Sequence, residues 1–384
     1  MKIAIVANSA WYLANFRLTL FERLRCSGHE VVAISPIDIH TARLTSKEFR
    51  HIEWRMNASS RNPLSEWLAI RHLARLLKEF DAEAIFSYTP KANIYSGLAL
   101  GSRRCIFVPN VSGLGYAFVQ KNLLAGLVKS LYRSSFTAAS HVFFQNEEDR
   151  SLFARAGLVD QRPTVRLPGS GVDLTRFAAA PLPLAQRRII LFVGRMLVDK
   201  GVIDLIQAIR RLPHRHQQLE VWLLGPLGGE HPNSVPQSSI ESWVSEGIVR
   251  YLGETDDVRP IIAQADAIVL PSVYREGVPR SLLEAAAMGR PTITYDMPGC
   301  RDAVSAGVTG WICASRDVDG LTTAIEAFMN TPAHLLRAMG VLARQKMEQE
   351  FDEELVLQAY LRVVNAPGDL TQNPLKNSEK FSQD

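Results

Sequence analysis

Short apolar runs bounded by glycine, proline or polar residues alternate along the chain with amphipathic stretches of helical period. The first group is a strand over Lys2 to Asn8, a helix over Phe16 to Ser27 ending near Gly28, and a strand over Glu30 to Ser35, the opening of a βαβ unit. A helix over Trp67 to Phe80 and strands over Ala84 to Ser87, Ile106 to Pro109 and Val142 to Gln145 continue the alternation, predicting a mostly parallel, doubly wound sheet. Periodicity then lapses. Ala178 to Gln186 reads Ala-Ala-Ala-Pro-Leu-Pro-Leu-Ala-Gln, a linker.

A second α/β series follows. Its strands are Arg188 to Val193, Leu219 to Leu224, Val249 to Leu252, Ala267 to Leu270 and Pro291 to Tyr295, with helices over Val202 to Leu212 and from Pro279. Helices over Pro332 to Phe351 and Glu353 to Val364 close it. The expected division is a first domain over 1–177, a linker over 178–187, a second domain over 188–352, and a polar tail over 367–384 expected to be disordered.

Composition leaves this picture intact. The chain has 384 residues, 47% hydrophobic and 21% charged, enough for two cores. The opening apolar run is too short for a signal peptide, and no stretch approaches the roughly 18 apolar residues of a membrane span. Cys26, Cys105, Cys300 and Cys313 lack metal or redox spacing and read as reduced buried thiols, so a cytoplasmic protein is expected.

Charge is unevenly spread. Residues 1–185 carry 23 Lys and Arg against 14 Asp and Glu, while the remainder carries 20 against 25. No acid occurs from Ala84 to Asn146, and within that span Lys121 to Arg133 alternates leucines with cations at helical spacing. Such a helix suits peripheral contact with an anionic membrane surface, at the inner face of the cell membrane; a core helix with a basic solvated face gives the same pattern. No nucleic-acid recognition motif accompanies the charge.

The most informative chemistry lies between Arg275 and Arg290. A helix is expected from Pro279, with no Ser, Thr, Asp or Asn immediately before it to cap the first amides, so a phosphate is suited to that positive end. Glu276 precedes the helix and Glu284 lies on it; a ligand with hydroxyls at both ends and a diphosphate between them would match both carboxylates. A nucleotide sugar has that shape. Upstream, Gly194, Arg195 and Lys200 fall in the loop leaving an apolar strand, where two cations would neutralise a departing diphosphate. His214 and His216 read as a solvated turn and no metal is expected; Gly113 and Gly115 read as turn glycines.

Taken together, Gly194-Arg195, Lys200-Gly201, Glu276-Gly-Val-Pro-Arg-Ser-Leu-Leu-Glu284, Gly289-Arg-Pro-Thr-Ile and Gly299-Cys-Arg-Asp-Ala-Val resemble the retaining nucleotide-sugar glycosyltransferases of family four. Ser87-Tyr-Thr-Pro-Lys-Ala-Asn-Ile-Tyr, Phe143-Phe-Gln-Asn-Glu-Glu-Asp and Pro168-Gly-Ser-Gly-Val-Asp are similar to a bacterial subgroup that extends capsule, O-antigen or other glycans on a polyprenyl diphosphate carrier. The resemblance implies a GT-B architecture, two facing Rossmann-like domains with a deep cleft between them, the last helix, about 353–365, crossing back to the first domain. It also implies that Arg195 and Lys200 hold the donor diphosphate, Glu276 the sugar hydroxyls, Glu284 the ribose, and the backbone of Gly277, Val278, Pro279 and Arg280 the sugar or phosphate. Arg195, Lys200 and Glu276 would be the catalytic residues.

The implied donor is a UDP-sugar, the implied acceptor a polyprenyl-diphosphate-linked glycan, and no separate cofactor is called for. In the first strand-to-helix loop, where many relatives have a Gly-Gly pair, this chain has Asn8 to Arg17, and Tyr88 to Lys91 stand where many have a histidine. Asn15, Arg17, Tyr88 and Lys91 are the acceptor-side candidates. Asp302 is open to two roles, a helix cap or a donor contact. Two other functions suit the same residues: a nucleotide-sugar epimerase or hydrolase, which would convert donor without an acceptor lipid, and a non-catalytic nucleotide-sugar-binding subunit.

Overall fold

A computed structural model of the chain describes residues 1–365 apart from 59, 61, 102, 114–122, 161, 184–186, 213–217 and 230, with the side chains of 123 and 124 also outside the description. Gly115, Lys121, His214, His216, part of the expected linker and the expected tail therefore lie outside the described residues. The chain divides into two compact units, Met1–Ser170 with the chain from Glu354 onward, and Gly171–Glu353.

The first unit is a seven-stranded sheet of β1 (Lys2–Val6), β2 (Glu30–Ser35), β3 (Arg50–Glu53), β4 (Ala84–Tyr88), β5 (Ile106–Val111), β6 (Val142–Phe144) and β7 (Thr164–Arg166), in the order β3-β2-β1-β4-β5-β6-β7. Every pairing is parallel, with Lys2 opposite Glu30 and Ile3 opposite Ala84 in the central ladders. Successive side chains of a strand point to opposite faces. Ala4 and Val6 accordingly enter the core under helices Pro63–Phe80, Pro90–Leu100 and Leu123–Phe136, while Ile3 and Ile5 enter the core shared with Leu18–Cys26 and the closing helix Glu353–Asn365. That last helix is fixed by Tyr360, whose ring lies 4.8 Å from Phe86 and 5.0 Å from Phe143 and whose hydroxyl accepts from Asn110 at 2.9 Å.

The basic helix Leu123–Phe136 turns Ala125, Tyr132 and Phe136 into the core, with Val128 and Leu131 packed beside them. Arg133 donates to the carbonyls of Ala156 and Gly157. One face of the helix is thus buried, while Leu127 is exposed along with Lys129, and among the described residues no helix is long and apolar enough to cross a membrane.

The second unit is a parallel six-stranded sheet of β8 (Arg188–Val193), β9 (Leu219–Leu224), β10 (Arg250–Tyr251), β11 (Ala267–Leu270), β12 (Thr292–Tyr295) and β13 (Gly310–Cys313), in the order β10-β9-β8-β11-β12-β13. In both sheets the order reverses beside the first strand of the unit, between β1 and β4 and between β8 and β11. These are the topological switch points at which open α/β sheets take ligands.

The change of unit falls at Ser170–Gly171, ahead of the expected 178–187 linker. Val172 and Phe177 are buried in the second core, and two arginines hold the segment there. Arg344 donates to the carbonyls of Leu174, Phe177 and Ala287. Arg290, fully buried, donates to those of Ala180 (2.8 Å), Pro181 (2.8 Å), Ile262 (3.2 Å), Ala263 (2.9 Å) and Met288 (3.1 Å). Removing that guanidinium orphans several buried acceptors at once. Arg290→Met is expected to cost about 3 kcal/mol or more of stability, read as a lowered urea midpoint.

Candidate active site

The donor-side candidates converge on the carboxyl edge of the second sheet, at its switch point. Gly194 and Arg195 leave β8, and the chain turns through a short 3-10 segment, Val198–Lys200. Ser272 to Glu276 leave the neighbouring β11. Gly201 makes their approach possible: it has φ +80, and a Cβ there would lie 2.0 Å from the Pro271 carbonyl oxygen. Lys200 Nζ consequently reaches Glu276 Oε1 at 2.6 Å, both side chains 17% exposed.

Three groups absent from the expected site set this geometry. Ser272 Oγ donates to Glu276 Oε1 at 2.9 Å. The Asp199 carbonyl accepts from the Val273 and Tyr274 amides at 2.8 and 3.2 Å and from Ser272 Oγ at 3.2 Å, tying the two loops together. Asn233 in turn donates to the Asp199 carboxylate, and its carbonyl accepts from the Val198 amide at 2.8 Å. Such long-range partners leave no periodic trace in a sequence.

Gly299 and Cys300 hold the loop from the other side. A Cβ on Gly299, whose φ is +79, would sit 1.4 Å from the Gly277 carbonyl oxygen. Gly277, Val278, Pro279 and Cys300 are buried, so the turn before the helix is clamped rather than loose. Burial pushes the Cys300 thiol up to about 12, with the Glu276 carboxylate adding to the effect, so this thiol stays protonated. Asp302 lies inside a 3-10 turn, Arg301–Ala303, whose cap position is Cys300, so it is not a helix cap.

The helix Arg280–Ala287 begins on Pro279 without a side-chain cap and without an acid in its first turn. Glu284 faces Arg280 at 3.1 Å. Burial raises its carboxyl above the ordinary glutamate value, and Arg280 and Arg176 oppose that rise. Arg195 is exposed and among the described residues pairs with no carboxylate; it is close enough to Tyr274 to lower that phenol, which burial and Glu276 raise. The edge thus offers two cations, two carboxylates and a helix amino end, a set suited to a diphosphate flanked by hydroxyl-bearing groups.

In the first unit the four acceptor-side candidates do not form one cluster. Asn15 accepts from Arg43 at 2.8 Å and donates to the Trp11 carbonyl at 3.0 Å. Lys91 Nζ is bound by the carbonyls of Asn57 (3.0 Å) and Ser60 (2.7 Å) and by Glu66 Oε1 (3.0 Å). Arg17 and Tyr88 do come together, the guanidinium lying 4.3 Å from the ring centroid. Arg17 is only 2% exposed. Desolvating a charge costs several kcal/mol, whereas a desolvated cation–π contact returns about 2 kcal/mol.

Sequence and fold comparisons agree with this architecture. Residues 187–331 match the family model described as glycosyl transferases group 1, and residues 2–146 match the model described as glycosyl transferase 4-like. The chain is 26% identical over 380 residues to the N,N'-diacetylbacillosaminyl-diphospho-undecaprenol alpha-1,3-N-acetylgalactosaminyltransferase of Campylobacter jejuni, covering 94% of this chain and 98% of that one. It is 22% identical to the capsular polysaccharide biosynthesis glycosyltransferase CapM of Staphylococcus aureus, covering 83% and 87%. Among solved structures, Anabaena HepE in complex with UDP-glucose superimposes with a TM-score of 0.77 at 17% identity, over 95% of this chain and all of that one. The two parallel-sheet units are those of the GT-B fold. The two models together span most of the chain, which therefore belongs to glycosyltransferase family four and is an enzyme that transfers sugars.

Proposed function

We propose that the chain moves a hexose or N-acetylhexosamine from a UDP-sugar to a sugar carried on a polyprenyl diphosphate, with retention of anomeric configuration. The observation that carries this reading is the Lys200–Glu276 pair at the switch point beside an uncapped helix start. Relatives supply the substrate classes: one acts on a diphospho-undecaprenol sugar by name, and HepE was crystallised with UDP-glucose.

In the reaction the bond between the sugar's anomeric carbon and the diphosphate oxygen breaks, and the acceptor hydroxyl forms the new one. Charge develops on the leaving diphosphate, where Lys200, Arg195 and the uncapped amides of Arg280 and Ser281 would neutralise it. Glu276 would orient sugar hydroxyls and Glu284 the ribose. The acceptor proton would pass to the leaving diphosphate on the same face. No metal or separate cofactor enters, because these cations already supply the positive charge. The protein would work at the cytoplasmic face of the membrane, where the lipid acceptor lies.

A matched release assay tests this: a panel of nucleoside diphosphate sugars, scored for free nucleotide with and without polyprenyl-linked sugar. Lipid-dependent release from a UDP-sugar is the expected result. Lipid-independent release would replace this reading with an epimerase or hydrolase, and no release at all would favour a binding subunit.

Glu284 gives a prediction with a sign. A carboxyl raised on folding binds its proton more tightly in the native state, so its contribution to stability is full below the unfolded value and is lost as pH rises through the folded one. Glu284→Gln lacks that loss. Its unfolding free energy should gain on the wild type as pH rises above the ordinary glutamate value, while its donor KM rises about tenfold through the lost charge-assisted hydrogen bond. Paired urea titrations across pH check the first half, and donor kinetics the second.

A further inference from the structure

We propose that Arg17 anchors an anion site at the carboxyl edge of the first sheet, built to take a phosphate or diphosphate group. The inference deepens the transferase reading, which supplies two such groups, one on the lipid acceptor and one on the donor. Among the described residues no carboxylate pairs with Arg17. Its Nη2 donates to the Tyr12 hydroxyl at 3.1 Å and to Ser170 Oγ at 3.2 Å, both neutral, and its Nε is buried with no acceptor.

The same chain shows what a purely structural buried arginine looks like. Arg290 is filled with backbone carbonyls, the acceptors that compensate a guanidinium held for packing. Arg17 has no carbonyl acceptor among its hydrogen bonds; aromatic rings and two hydroxyls surround it. A guanidinium does not lose its proton in proteins, so its charge stays there under-compensated. An anion would complete it.

Placement agrees. Arg17 follows the helix Ala10–Phe16 that leaves β1, and Tyr88 ends β4, so the cation stands at the switch point of the first sheet. Beside it, Thr89 holds φ 76 and ψ 150, a region a β-branched residue enters only under strain, and its Oγ1 is buried without a partner. A bound ligand would answer both the strain and the orphaned polar atoms. Of the three residues touching the guanidinium, Tyr12 is the most exposed, Ser170 is 8% exposed and Tyr88 is fully buried. A phosphate would enter by displacing the Tyr12 hydroxyl and would take Nε and Nη2 in a two-pronged grip.

The test uses inorganic pyrophosphate on the full chain carrying Arg195→Ala and Lys200→Ala, which removes the cations of the second unit's edge. At constant ionic strength pyrophosphate should raise the melting temperature of that chain. Adding Arg17→Met should abolish the rise without lowering the ligand-free melting temperature, and Arg17→Lys, which keeps charge but not the fork, should leave a smaller rise. A rise that survives Arg17→Met, or no rise in the parent, overturns the site. In the otherwise unaltered chain, Arg17→Lys should raise one KM at least tenfold: the acceptor's if the lipid diphosphate occupies the site, the donor's if the nucleotide diphosphate does. Both KM values unchanged would overturn it as well. Should the unaltered chain transfer no sugar, the transferase reading fails alone, and the pyrophosphate measurement still decides the site.

Discussion

Lys200→Ala is expected to lower kcat by two to three orders of magnitude, about 3 to 4 kcal/mol of barrier, as loss of a single preorganised donor does elsewhere. The loss should fall on kcat more than on donor KM, because charge on the diphosphate is greatest as the sugar departs. Geometry adds to it. With Lys200 gone, Glu276 keeps the Ser272 hydroxyl as a partner but loses the cation 2.6 Å away, so one positive charge fewer balances the carboxylate beside the phosphates. Glu276→Gln in the same chain should therefore recover part of the activity, and the two changes should not add. Single-turnover rates of the two single variants and the double variant test this directly. Independent, additive losses would mean that the two residues do not share one site.

Gly299→Ala should abolish activity and destabilise the second unit by about 3 kcal/mol or more. The added Cβ would lie 1.4 Å from the Gly277 oxygen and 3.2 Å from that of Glu276, and the left-handed φ of +79 is itself unfavourable for alanine. Gly277 is buried and cannot retreat into solvent, so the loop bearing Glu276 must move. A displacement of about 1 Å at a reacting centre costs on the order of a hundredfold in rate. Gly247→Ala is the control, since its φ is +67 but nothing lies within 4 Å of the new Cβ. It should cost about 1 to 2 kcal/mol from backbone conformation alone and leave the rate unchanged.

The central strands were legible because they are continuous apolar runs, buried on both faces and bounded by polar residues. Glu30–Ser35, Arg188–Val193, Leu219–Leu224 and Ala267–Leu270 fall at their expected limits. The edge strands Arg50–Glu53, Thr164–Arg166 and Gly310–Cys313 escaped notice, being short and only partly buried. The helix expected over Phe16 to Ser27 is found as Leu18–Cys26, while the separate helix Ala10–Phe16 before it, divided from it at the buried Arg17, escaped notice.

In the site, the resemblance and loop position pointed to Arg195, Lys200, Glu276 and Glu284, and of these Lys200 and Glu276 are in contact. Ser272, Asp199 and Asn233 were out of reach because their importance lies in bonds to loops distant in sequence. Lys91 and Arg17 were equivalent cations on paper. Only packing distinguishes the first, bound by two carbonyls and a glutamate, from the second, buried without a carboxylate among the described residues.

Mass spectrometry of the acceptor lipid bears most directly on the proposed reaction. Incubated with the UDP-sugar that scores in the release assay, the polyprenyl-diphosphate-linked acceptor should gain the mass of one sugar residue with the wild-type chain and none with Lys200→Ala. Nucleotide released while the lipid mass stays unchanged and free sugar accumulates would contradict the account.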